Sequence, residues 1–278
     1  MPFIDTQDIQ KGESVKIFYQ DYGEGKPVVL IHGWPLSYSM WEQQIAALVE
    51  AGYRCIAYDR RGFGVSSQPW DQYDYSTLAQ DLNSLITRLD LSDVTLVGFS
   101  MGGGEVVRYL TDFGSDRVAK AALISSIIPL VPQKDDNPDG VPQEMLDDIM
   151  QNLQKDRAGF LEGFTKNFFN YEDHQDKISE AMLRQSWSLA MMATRRATLE
   201  AAKAWAETDF RPELKNVTVP TLIVHSKADQ VVPIATSGDQ AAQGIADNRY
   251  EVIEDAPHGL FATHTEQLNK LLIDFLKE

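Results

Sequence analysis

One serine, one aspartate and one histidine, far apart in the chain, have the residue types and surroundings that acyl transfer requires. Ser100 lies in "VGFSMGGGE", residues 97–105, where Gly98–Gly102 reads G-x-S-x-G between an apolar run and a helical pattern. That context belongs to a serine lifted on a sharp strand-to-helix turn, with glycines where a Cβ would find no room. A serine hydroxyl is a weak nucleophile near neutral pH, so a base must take its proton, and an acceptor must hold the base by its other nitrogen. "KADQVVP" places Asp229 after one apolar run, and "EDAPHGLF" places His258 after the next. Both fall where strands end, in the chain order Ser, Asp, His. The reaction passes through an oxyanion, for which the amides of Met101 and Trp34, the latter in "HGWP", are the expected donors.

Competing readings of these segments fail on spacing. A Walker-type loop needs Lys and Ser or Thr where Gly104 and Glu105 stand, and Gly102, Gly104 and Val107 break a dinucleotide-binding turn. A serine that merely caps a helix is the bland alternative. Of the other histidines, His32 reads as a loop organiser, His174 and His225 as structural or exposed, and His264 as a residue at the start of the last helix. The five histidines of the chain are scattered without a ligand spacing, so no metal is expected. Asp59 in "YDRRGFG" is expected to pair with Arg60 or Arg61, and Cys55 to be a small buried hydrophobe.

The elements that must position these groups follow an α/β rhythm. Apolar, β-branched runs occur at 14–20, 27–33, 53–59, 94–100, 118–125, 219–226 and 250–256, with helical patterns between most of them, such as 75–90 and 264–277. Runs without strict alternation imply a mostly parallel, doubly wound sheet covered on both faces, here of about eight strands. The rhythm breaks after the sixth strand: a loop rich in Pro and Asp leads to helical patterns at 142–155, 157–169, 177–190 and 194–207. The expected organisation is a core over 1–128, a helical cap over 129–212 and the rest of the core over 213–278, which carries acid and histidine.

With 41 acidic against 25 basic residues, the net charge of −16 repels phosphate backbones and anionic bilayers, so neither nucleic acid nor membrane is an expected partner. No leader pattern or long apolar run is visible, and the single cysteine suits a reducing compartment; the expected location is cytoplasmic. A homo-oligomer is compatible with such a chain.

These segments together, with "VVLIHGWPLSYSMWEQQ", "YDRRGFGVSS", "KADQVVP" and "PHGLFATH", resemble the α/β-hydrolase superfamily, and within it the bacterial aryl esterases and cofactor-free haloperoxidases, or perhydrolases. The resemblance implies an α/β-hydrolase fold, Ser100 as nucleophile, His258 as base, Asp229 as orienting acid, and Trp34 and Met101 as oxyanion hole. It also implies small esters, carboxylic acids or peroxide as substrates and no cofactor. Pro35 occupies a position that the group associates with stronger perhydrolysis. In the cap, Phe160, Phe164 and Phe168 share one helical face; Phe160 is assigned to the core, and Phe164 and Phe168, with Trp34, Val231 and Val232, to an apolar acyl site. The leading expectation is a serine hydrolase of small aryl esters with peracid-forming, halide-oxidising side activity. The alternatives are a perhydrolase or haloperoxidase in its main role, a lactamase or amidase, and a non-catalytic receptor on the same fold.

Overall fold

The computed structural model describes residues 2–7 and 14–278. Eight strands form one sheet: β1 (Phe3–Gln7), β2 (Ser14–Tyr22), β3 (Pro27–Ile31), β4 (Arg54–Tyr58), β5 (Val94–Phe99), β6 (Val118–Ile124), β7 (Thr221–Ser226) and β8 (Asn248–Ile253). Their order is β1-β2-β4-β3-β5-β6-β7-β8. β1 and β2 enter antiparallel, and every pairing from β4–β3 onward is parallel. β1 has no counterpart among the sequence runs, because "FIDTQ" is two apolar residues followed by three polar ones at a sheet edge, with none of the continuous apolar signal of the centre.

The central strands are apolar throughout because they are covered twice. Along β3, Val28 and Leu30 enter one buried cluster while Val29 and Ile31 enter the other, as the two-residue period of a strand requires. α2 (Tyr75–Arg88) and α3 (Met101–Phe113) cover one face through Leu78, Leu82, Val106 and Leu110. α1 (Glu42–Glu50) and α10 (Thr265–Lys277) cover the other through Leu48, Leu268, Leu272 and Phe275. Between β6 and β7 the chain leaves the sheet and forms α4 (Gln143–Lys155), α5 (Arg157–Phe168), α6 (Glu180–Met191) and α7 (Arg195–Glu207). Short polar residues start three of these helices locally: the side chains of Asp156, Ser179 and Thr194 each accept from an amide of the first turn.

Charges buried under the sheet's C-terminal edge are arranged differently from the expectation. Asp59 pairs with neither adjacent arginine as its main contact; its carboxylate accepts the amides of Tyr38 (2.8 Å) and Val65 (2.9 Å), and burial pushes its pKa up to about 6. Arg60 instead pairs with Glu105 of α3, and Arg61 with Asp81 of α2. The reason is geometric: an arginine next in sequence to Asp59 projects to a different side, where a helix supplies the carboxylate. Arg60 also donates to the His32 carbonyl (2.6 Å), and its amide donates to His32 Nε2 (3.0 Å). His32 is thereby the organiser of the loop after β3, coupled through Arg60 to α3.

Glu105 and Arg60 are both fully buried, so removing one leaves an uncompensated charge. Glu105→Leu is expected to lower the unfolding free energy by about 3–5 kcal/mol in a urea titration; a loss under about 1 kcal/mol would show that the pair is not holding this region together.

Candidate active site

The turn from β5 to α3 gives Ser100 a backbone at φ 52°, ψ −118°, a conformation that L-residues rarely adopt. It is held there by its own peptide: Ser100 N–H donates to Ile124 of β6 (2.9 Å), and its carbonyl accepts from Gly103 (3.0 Å) and Ile127 (3.3 Å). The glycines are required by close approach. A Cβ on Gly98 would lie 2.5 Å from the Gly102 carbonyl, and one on Gly102 would lie 2.6 Å from that of Ile31. Ser100 stands at the N-cap position of α3 yet makes no side-chain capping bond, so the hydroxyl is free for another partner.

That partner is the imidazole at 258. His258 Nε2 lies 3.0 Å from Ser100 Oγ, and His258 Nδ1 lies 2.7 Å from Asp229 Oδ2. Asp229 follows β7, and its other oxygen, Oδ1, accepts the amides of Val231 (2.9 Å) and Val232 (2.8 Å). His258 follows β8 and precedes α9 (Leu260–Thr263); Gly259 N–H donates to the Phe168 carbonyl (2.9 Å), tying this loop to the end of α5. Burial alone would push the Asp229 carboxyl up, but the positive charge available to His258, with hydrogen bonds and charge from His225 and His258, outweighs it and holds the group well below its usual range. An ionised acid, an imidazole and a hydroxyl in line, all buried, can move a proton from oxygen to nitrogen.

Met101 and Trp34 carry the two amides expected to face an oxyanion. Met101 opens α3, where an N–H has no acceptor within the helix. Its side chain is buried in the core. Trp34 follows His32 and Gly33, is 4% exposed, and its indole donates to the Thr198 carbonyl of α7 (3.0 Å). Helix α7 therefore anchors the ring of the residue whose backbone amide is the second candidate donor. The Trp34–Pro35 bond is cis.

An apolar cavity of about 60 Å³ opens on Ser100 and His258. Trp34, Phe164, Val231 and Val232 line it; Phe164 packs edge-on against Trp34 at 5.3 Å between ring centroids. Phe160 is half-buried against the core and stacks on Phe164. Phe168 is placed differently: it is buried behind the cavity, its ring edge-to-face on His258 at 4.9 Å, with Phe99 also 4.9 Å from that imidazole. One further turn of α5 carries it past the opening and into the layer that fixes the base. The sequence reading missed Ile127, Val131, Val141, Leu146, Ile149 and Trp205 of the wall. Five come from the irregular chain between β6 and α4 and from α4 itself, and ordinary apolar residues there carry no chemical signal.

A family model for the alpha/beta hydrolase fold matches residues 26–265. The chain belongs to the α/β-hydrolase family. It is 42% identical to the non-heme chloroperoxidase CPO-A1 of Kitasatospora aureofaciens and 36% identical to the bifunctional esterase/perhydrolase DCH of Acinetobacter calcoaceticus, each match covering all of both chains. Among solved structures, a bromoperoxidase from Bacillus anthracis superposes over all of both chains with a TM-score of 0.95 at 44% identity. Among the described residues, no helix of this family member is long and apolar enough to cross a membrane, and no group of His, Cys, Asp and Glu side chains could hold a metal ion.

The depressed Asp229 gives a pH prediction with a definite sign. Its contribution to stability is present above the ordinary value of 3.8 and is lost as pH falls through the lower folded value. The stability difference between the native chain and Asp229→Asn, from urea unfolding, is expected to be widest above about pH 4 and to narrow toward about pH 2; a difference independent of pH would contradict it.

Proposed function

We propose that the chain is a serine hydrolase of small carboxylic esters that works through an acyl-enzyme and passes the acyl group to water or to hydrogen peroxide. The observation that carries this reading is the contact of 3.0 Å between Ser100 Oγ and His258 Nε2, backed by the 2.7 Å contact to Asp229. In the first half-reaction Ser100 Oγ attacks the ester carbonyl carbon while its proton goes to His258 Nε2. The Trp34 and Met101 amides take the oxyanion, and the alcohol leaves with the proton from His258. In the second half-reaction His258 takes a proton from the acceptor, which attacks the acyl carbon; the bond from that carbon to Ser100 Oγ breaks, and His258 returns the proton to Oγ. Water yields the acid; peroxide yields the peracid, RCO₃H. The peracid then converts a halide ion to hypohalous acid and leaves the carboxylate, so the halide needs no site on the protein.

The relatives support both outcomes, since one is named as an esterase and perhydrolase and another as a non-heme chloroperoxidase. Wall chemistry supports small neutral acyl groups. The cavity is smaller than the 150 Å³ space that admits benzene in an engineered core, and its walls hold no cation for a substrate anion. The excursion between β6 and β7 supports a division into core 1–128, cap 129–212 and core 213–278, and the buried, unpaired Cys55 supports a cytoplasmic setting.

Ser100→Ala is expected to lower p-nitrophenyl acetate turnover by about 10⁴-fold or more, in hydrolysis and perhydrolysis alike; a variant retaining near-native turnover would refute the assignment. Pro35→Leu is expected to lower the ratio of kcat/KM for peroxide over water as acceptor by about tenfold. An unchanged ratio would show that the residue after Trp34 does not set acceptor choice.

A further inference from the structure

A second histidine touches the acid of the relay. His225 lies in β7, 1% exposed, with Nε2 3.0 Å from the Val232 carbonyl, 3.3 Å from Ser237 Oγ and 3.5 Å from Asp229 Oδ2. Oδ2 is also the oxygen that meets His258. Its remaining nitrogen, Nδ1, is buried without a partner among the described residues.

These contacts determine where the ring proton sits. A carbonyl and a carboxylate can only accept. Ser237 gives its own proton to the Pro233 carbonyl (2.6 Å) and so presents a lone pair to the ring. Three acceptors around Nε2 require Nε2 to carry the hydrogen. A hydrogen on Nδ1 would be a buried donor with nothing to receive it among the described residues. The titratable groups on the packed elements are Tyr250 of β8 and Asp239 of α8 (Gly238–Gly244), which bond each other at 2.8 Å, Arg249 and Glu251 of β8, which also bond each other at 2.8 Å, and Lys120 of β6, which donates to the Phe275 carbonyl (2.6 Å).

We propose that His225 is a positioning residue for the relay: its Nε2–H closes the Asp229–Val232 turn and shares Asp229 Oδ2 with His258, which sets the basicity of His258. The turn is closed from both sides, because Val232 donates its amide to Asp229 Oδ1 and accepts from His225 with its carbonyl. A donor on Oδ2 withdraws negative charge from the bond to His258. Without it, the carboxylate interacts more strongly with the imidazolium, and His258 becomes a stronger base. The inference rests on the Ser100–His258–Asp229 reading above.

The test is the pH dependence of kcat/KM for p-nitrophenyl acetate in the native enzyme, His225→Leu and His225→Gln, with Ser100→Ala in parallel. His225→Leu, which has no donor, is expected to move the acid limb upward by about half a unit to one unit and to lower kcat about tenfold with KM nearly unchanged. His225→Gln keeps an N–H near the Nε2 position and is expected to restore most of kcat and return the limb toward its native place. Limbs that coincide in all three proteins would overturn the proposal, whatever happens to kcat. If Ser100→Ala stays active, the relay itself is wrong; if it is dead while the limbs coincide, only the role of His225 fails. Should His225→Leu not fold, ¹⁵N-histidine NMR of the native enzyme decides. A His225 that carries a hydrogen on Nε2 supports the proposal, and one that carries its hydrogen on Nδ1 with Nε2 bare overturns it.

Discussion

The account depends on a hydroxyl held against an imidazole that arrives from 158 positions further along the chain. Neither group can reach the other by local structure. Ser100 must sit in a backbone conformation costing about 1–3 kcal/mol, and it does so because β3, β6 and α3 press on the turn from three directions. His258 must present one particular ring edge, and it does so because Phe99 and Phe168 clamp its faces while Asp229 takes Nδ1. The parallel sheet is what lets these demands coexist, since β5, β7 and β8 all end on the same side and deliver their loops to one place.

Packing beneath the site is tied to the same end. The Arg60–Glu105 pair joins the loop of His32 to the helix that starts after Ser100, so the two amides proposed for the oxyanion belong to elements linked by one buried ion pair. Above the site, Trp34 hangs from α7 by its indole, and Phe164 of α5 packs on the same ring. Helices held in this way shape the apolar cavity over Ser100 and His258, and in such low-dielectric surroundings fixed dipoles act more strongly than they do in bulk solvent.

How much of this could be read without coordinates varied with the kind of signal. Glycine spacing around Ser100 is a steric signature, and the helices between β6 and β7 announce themselves by apolar periodicity; both were legible, to within a few residues at each helix end. The edge strand β1 was not, because two apolar residues followed by three polar ones resemble a polar loop. Asp59 was assigned to its arginine neighbours on proximity in sequence, whereas partners of buried charges are chosen by which helix passes overhead. Phe168 shares a helical face with Phe164, yet four residues of rise move it from the cavity wall to the back of His258. The contact of His225 with Asp229 had no sequence signal beyond a histidine near a strand end.

The central claim, that Ser100 carries the acyl group, is most directly tested by trapping it. Intact-mass measurement and peptide mapping of the enzyme quenched in acid during p-nitrophenyl acetate turnover, or after reaction with a fluorophosphonate, should place a single adduct on the peptide containing Ser100. An adduct on another residue, or turnover with no covalent species under either condition, would contradict the account.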